Sequence, residues 1–156
     1  MRFTMRFTIA TLISAFALSA TASSCPVFNG TYQCEGDGIE QELTLKTEIV
    51  SGVTQYSWDD TQIRADGQYR KVAFMGGEYD MAASCQKETL TINVVFDGGE
   101  GDNEDCGKDK WNLLYTLNFT PNGQNISETH SSSTVCANGK VIPSEARGSM
   151  SCIKRK

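Results

Sequence analysis

Residues 111–120 read WNLLYTLNFT, with Trp111, Leu113, Tyr115, Leu117 and Phe119 at one parity and Asn112, Thr116, Asn118 and Thr120 at the other. Only Leu114 breaks the alternation. Successive side chains of a strand point to opposite faces, so a period of two predicts a half-buried strand here. Leu90–Phe96 repeats the pattern, with Leu90, Ile92, Val94 and Phe96 on one face and Thr91 and Asn93 on the other. Fainter versions run through Gly30–Glu35, Ile39–Thr47, Val53–Trp58, Tyr69–Met75, Glu78–Ala83, Gln124–Thr129 and Ser149–Lys154. Turn formers fall between most of them: Ser51-Gly52, Asp66-Gly67, Gly76-Gly77 and Pro121-Asn122-Gly123. No segment carries an apolar stripe at helical spacing. Asp60–Ala65 is read as a short helical turn, and Asn138–Arg147 as irregular.

A succession of short strands, apolar on one face and polar on the other, describes an all-β antiparallel meander of about eight to ten strands. A barrel and a two-sheet sandwich both satisfy that pattern. The segment CPVFNGTYQC places Phe28, Gly30 and Tyr32 in alternation ahead of the other strands. It resembles the G-x-W motif that opens lipocalins and fatty-acid-binding proteins, with Tyr32 in the place of the tryptophan. The resemblance implies an up-and-down barrel that carries a small apolar molecule inside. Tyr32, Tyr56, Trp58, Trp111 and Tyr115 are the lining residues expected on that basis. The same residues would equally serve as a filled core.

The first residues change where the domain starts. Arg2 and Arg6 precede the ten-residue apolar run Ile9–Leu18, and Ala20-Thr21-Ala22 supplies small residues at the positions a signal peptidase reads. This is the order of a secretory signal peptide over 1–22, followed by a single domain over 23–156. The apolar run is too short to cross a bilayer as a helix, so no membrane anchor is expected. Bacterial lipoproteins resemble one another in a Leu-like residue three positions before the modified cysteine. Ala22 occupies that position ahead of Cys25, and lipidation would leave an odd number of thiols.

Behind the signal lie six cysteines: Cys25, Cys34, Cys85, Cys106, Cys136 and Cys152. An even count in an exported chain predicts three disulfides, and a secreted or periplasmic location. Cys136–Cys152, which encloses a short segment, is the first pairing expected; Cys25 or Cys34 would fasten the N-terminus, and Cys106 would pin the loop around it. No CxxC pair is present and there is one histidine, which leaves little for a structural zinc site. Residues 23–156 hold 12 basic and 19 acidic side chains, a net charge of −7. Such a domain lacks the basic footprint of a nucleic-acid binder.

The densest charge cluster, FDGGEGDNEDCGKDKW at 96–111, has six carboxylates and four glycines. Asp97, Glu100, Asp102 and Glu104 are its calcium-ligand candidates. Counted from Asp97 as an EF-hand, Gly99 and Gly101 stand where ligands should be; counted from Asp102, Leu113 replaces the bidentate glutamate. A single copy of a Gly-Asp-rich nonapeptide does not build a stacked calcium site either. The stretch is therefore read as a long hydrated turn.

Catalytic chemistry finds little purchase. His130, in SETHSSSTVC, is the only imidazole, and that stretch reads as a polar turn. There is no G-x-S-x-G elbow and no phosphate-binding glycine loop. Glu40 and Glu42 share a strand face opposite Leu43 and Leu45 and should face solvent. No catalytic residue and no cofactor are expected. The function expected is non-catalytic binding, of a small apolar ligand or of an extracellular protein through the 97–110 loop.

Overall fold

Four two-residue hairpins set the curvature of the chain. In Asp37-Gly38, Ser51-Gly52, Met75-Gly76 and Lys87-Glu88 both central residues have positive φ. Type I′ turns require this pair, and their twist matches that of the strands they join. Three of the four put glycine second, where no Cβ opposes the left-handed conformation. The fourth holds Lys87 and Glu88 at φ 48° and 63°.

The computed structural model describes residues 25–99 and 103–156. The signal segment over 1–22 and its boundary lie outside these residues. Ten strands are present: β1 (Gly30–Gly36), β2 (Ile39–Val50), β3 (Val53–Trp58), β4 (Thr61–Arg64), β5 (Arg70–Phe74), β6 (Gly77–Gln86), β7 (Thr89–Gly99), β8 (Trp111–Asn122), β9 (Asn125–Cys136) and β10 (Val141–Lys154). Every neighbouring pair is antiparallel, in the order β4-β3-β2-β1-β10-β9-β8-β7-β6-β5. Because β1 pairs with β10, the meander curls into a nearly closed barrel rather than a sandwich.

The barrel is stitched where its two chain ends meet. Cys34 lies opposite Cys152 in the β1–β10 ladder and is bonded to it. The remaining seam is between β4 and β5, which face each other without a ladder. The linker there is tied back by Ala65 N–H to the Thr54 carbonyl and Gly67 N–H to the Ala83 carbonyl, at 2.8 and 2.7 Å. Arg70 also grips Asp66 with two parallel hydrogen bonds of 2.7 and 2.6 Å. That fork holds the Asp66 carboxyl down at about 2.

Buried residues alternate with more exposed ones along β1, β4 and β7, whereas Met81, Ala82 and Ala83 are buried in succession in β6. Tyr56, Met81, Ile92, Val94 and Ile126 are fully buried. Phe28 blocks one end of the barrel. Its N–H donates to Thr47 Oγ1, its carbonyl accepts from that hydroxyl, and the Tyr56 hydroxyl donates to the Pro26 carbonyl at 2.7 Å. Cys25–Cys85 fixes the same segment to the β6 wall.

Several expectations are corrected. Residues 60–65 are not helical: Thr61 and Ile63 are buried while Gln62 is exposed, and the segment is β4. Its two inward residues were too few to reveal a period. Region 138–147 is strand from Val141 onward, with a register shift between Pro143 and Arg147. Proline has no N–H to give a ladder, which is why the slip falls there. SETHSSSTVC is not a turn but lies within β9. Cys136 is not bonded to Cys152, since Cys152 pairs with Ile126, ten residues along β9 from Cys136 and about 33 Å away at strand rise. Cys136 is bonded to Cys106 instead, so Cys106 does pin the 97–110 loop.

Candidate functional site

The inward faces do not meet at the barrel axis. They leave a cavity of about 770 Å³, within the range of small-molecule sites. Apolar walls come from facing sides of the barrel: Leu43 and Leu45 on β2, Leu90 and Ile92 on β7, Leu117 and Phe119 on β8. Phe28 forms the floor. The opposite end is the mouth, where the hairpins that follow odd-numbered strands supply Asp37, Ile39, Asp59, Asp60, Met75 and Gly76. Ile39 and Met75 are 56% and 81% exposed although they line the cavity, so an apolar rim faces solvent. The rim is skewed. β1 pairs with β10 only from Ser151 to Lys154, while β10 above Met150 pairs with β9 alone.

Of the five expected lining residues, Tyr56, Trp58 and Tyr115 border the cavity. Trp58 meets Phe74 edge to face, and Phe74 meets Tyr79 in the same way. Tyr32 is buried in the core cluster but is not among the lining residues. Trp111 lies over Gly98, where a Cβ would come within 2.2 Å of its ring, so it roofs the start of the β7–β8 loop instead.

Inside the barrel is a polar group the sequence reading missed. Glu128 is fully buried and His130 lines the cavity beside it. His130 Nδ1 is 3.1 and 3.2 Å from the two Glu128 carboxylate oxygens, and its Nε2 is 3.3 Å from Asp37 Oδ2. The Ser149 N–H donates to the same Asp37 oxygen at 3.0 Å. Tyr115 stacks on the imidazole, with centroids 5.5 Å apart. Gly148 makes the arrangement possible, because a Cβ there would fall 2.0 Å from Asp37 Oδ2 and 2.1 Å from His130 Nε2. The Asp37-Gly38 turn swings the aspartate over β10 into that space.

Burial is the main force raising the Glu128 carboxyl above its ordinary range, opposed by the hydrogen bond from His130. The Tyr115 hydroxyl is raised by burial first, then by the nearby Glu128 and Asp37 charges. Carboxylates therefore flank the imidazole at both ring nitrogens, Glu128 on the buried side and Asp37 on the side of the mouth.

β9 positions Glu128 and His130 by simple register. Phe119 pairs with Glu128 and Leu117 with His130, and opposite residues of an antiparallel pair share a face. Counting back across the β8–β9 hairpin from Asn122 would have assigned both to the interior. The Ser- and Thr-rich composition hid this.

The β7–β8 loop stands at the mouth end. Its described part is braced by mutual backbone hydrogen bonds between Asn103 and Gly107, 2.8 and 2.7 Å, and by Cys106–Cys136. Asp97 accepts from Gly99 N–H at 2.9 Å and pairs with Lys110 at 3.4 Å, contacts that lower its carboxyl pKa. Glu104 is exposed on the turn. Glu100 and Asp102 lie outside the described residues. Among the described residues no group of three or more His, Cys, Asp or Glu side chains is placed to hold a metal ion.

No protein-family model, curated protein or solved structure matches this chain. The class its fold defines is that of disulfide-braced antiparallel β-barrels.

Proposed function

We propose that this chain is an exported, non-catalytic carrier that holds a small apolar molecule inside a lipocalin-like barrel. The cavity carries the reading: an apolar chamber of about 770 Å³ with a plugged floor and an open mouth. A core made only for stability would close such a space, since each unfilled volume forfeits dispersion contacts. Three disulfides suit an oxidising compartment, the secreted or periplasmic space. The non-catalytic reading rests on His130. Its Nδ1 is engaged by Glu128 and its Nε2 faces a carboxylate, so no hydroxyl or thiol nucleophile stands at either ring nitrogen among the described residues.

The test is native mass spectrometry of protein isolated from its own organism, joined to titration with a neutral apolar fluorescent dye. A retained small molecule and saturable one-to-one dye binding are expected. Leu117→Trp, which fills the chamber from β8, should weaken dye binding at least about tenfold while the thermal transition persists. Dye binding unaffected by that substitution would overturn the carrier. The braced loop over 97–110 supports a second reading, a protein-binding module, since rigid frames commonly present recognition loops. That reading expects a bare chamber and a partner lost when the loop is shortened.

A further inference from the structure

The chamber's charges are one-sided. Asp37, Glu42, Asp59 and Asp60 all border it, and no Lys or Arg does. Glu42 is turned partly outward and lies 3.5 Å from Arg155, and Glu128 is buried behind the His130 ring that it engages at Nδ1. Asp37, Asp59 and Asp60 remain. Among the described residues neither Asp59 nor Asp60 enters an ion pair, and Asp37 has only the His130 imidazole and a backbone N–H. Asp37 sits in a space that Gly148 keeps open and reaches the chamber beside the His130–Tyr115 stack.

From this lining, and resting on the carrier reading above, we infer that the ligand is a cationic amphiphile: an apolar body seated against β2, β7 and β8, with an amine or quaternary ammonium head held at the mouth by Asp37, Asp59 and Asp60. An ammonium group would pair with the Asp37 carboxylate, and Tyr115 and Trp58, which also line the chamber, are aromatic rings of the kind that attract a cation. A fatty acid of equal length would bring a fourth carboxylate to the rim with no basic side chain to receive it. The apolar rim residues Ile39 and Met75 suit the passage of the body past the head-group site.

The experiment displaces a bound neutral dye, N-phenyl-naphthylamine, with dodecylamine, dodecanol and dodecanoate, each below its micellar concentration at neutral pH. Dodecylamine should displace the dye at a concentration at least about tenfold below that of dodecanoate, with dodecanol between. Asp37→Asn keeps an acceptor for the Ser149 amide, and it should reduce the amine preference several-fold while leaving dodecanol unchanged. The paired change Asp59→Asn with Asp60→Asn provides a second variant whose turn tolerates asparagine at positive φ. Equal displacement by all three, or dodecanoate the strongest, would overturn the cationic ligand while leaving the carrier standing. An amine preference indifferent to both sets of variants would also overturn it. Failure of the dye and of every amphiphile to bind would bring down the carrier reading, and this inference with it.

Discussion

Glu88 occupies the left-handed region as the second residue of a two-residue turn, a place the three sister hairpins give to glycine. A side chain there costs about 1–2 kcal/mol, and part of this is offset by the greater unfolded-state freedom of glycine. Glu88→Gly should therefore raise stability by about 1 kcal/mol, read as a higher urea midpoint with unchanged slope. Glu128 has a pH signature of its own. Its carboxyl binds a proton more tightly folded than unfolded, so its contribution to stability is greatest below its ordinary value of 4.5 and falls as pH rises through the raised folded value. Asp66, held down near 2, acts in the opposite sense: its contribution is present above its ordinary value of 3.8 and is lost as pH falls toward 2. Glu128→Gln should remove the first effect alone. Denaturant melts at a series of pH values from 4 upward should show the parent losing stability relative to this variant; parallel curves would mean that Glu128 holds its proton equally well folded and unfolded.

At the scale of elements, apolar walls were legible and polar interiors were not. Leu90–Phe96 and Trp111–Thr120 announce themselves because a buried face and a wet face give opposite chemistry at alternate positions. β9 breaks that correspondence. Past Ile126 its inward residues include Glu128 and His130, so composition pointed to a turn although the period of two continued. β4 failed for a different reason: with four residues it is shorter than the window over which any period can be recognised. The β7–β8 loop was legible as a pinned turn, but its partner Cys136 was not, since bridging depends on which strand ends lie side by side. The loop should behave as a unit separable from the barrel. Replacing Cys106 and Cys136 together by alanine removes a closure across a sequence separation of 30 and should lower stability by about 3 kcal/mol. Hydrogen exchange should quicken at 97–110 and at the turn beyond β9, and hardly change in β1–β3. Uniform quickening would show the loop to be part of the barrel's cooperative unit.

The whole molecule is governed by its closure. Cys34–Cys152 spans a sequence separation of 118 and bonds β1 to β10. A loop of that size corresponds to about 4–5 kcal/mol of lost unfolded-state entropy. The double alanine variant should fall by about that amount in denaturant, while far-ultraviolet dichroism of the folded fraction keeps its strand signature. The antiparallel meander was readable from the alternation and the turns, but a barrel and a sandwich fit it equally, and the β1–β10 pairing decides between them. The hollow was not readable, because inward residues of the same types can either meet or stand apart, and only the girth of a ten-stranded circle decides between them.

That junction also dictates a timetable. Tyr32–Glu35 are synthesised long before their hydrogen-bonding partners Ser151–Lys154. Until those residues emerge, the nascent sheet has a raw margin that could recruit another chain as readily as its own tail. A chain that stops short of Ser151 would leave that margin without the strand it zips against, and would not be a weakened version of the same vessel.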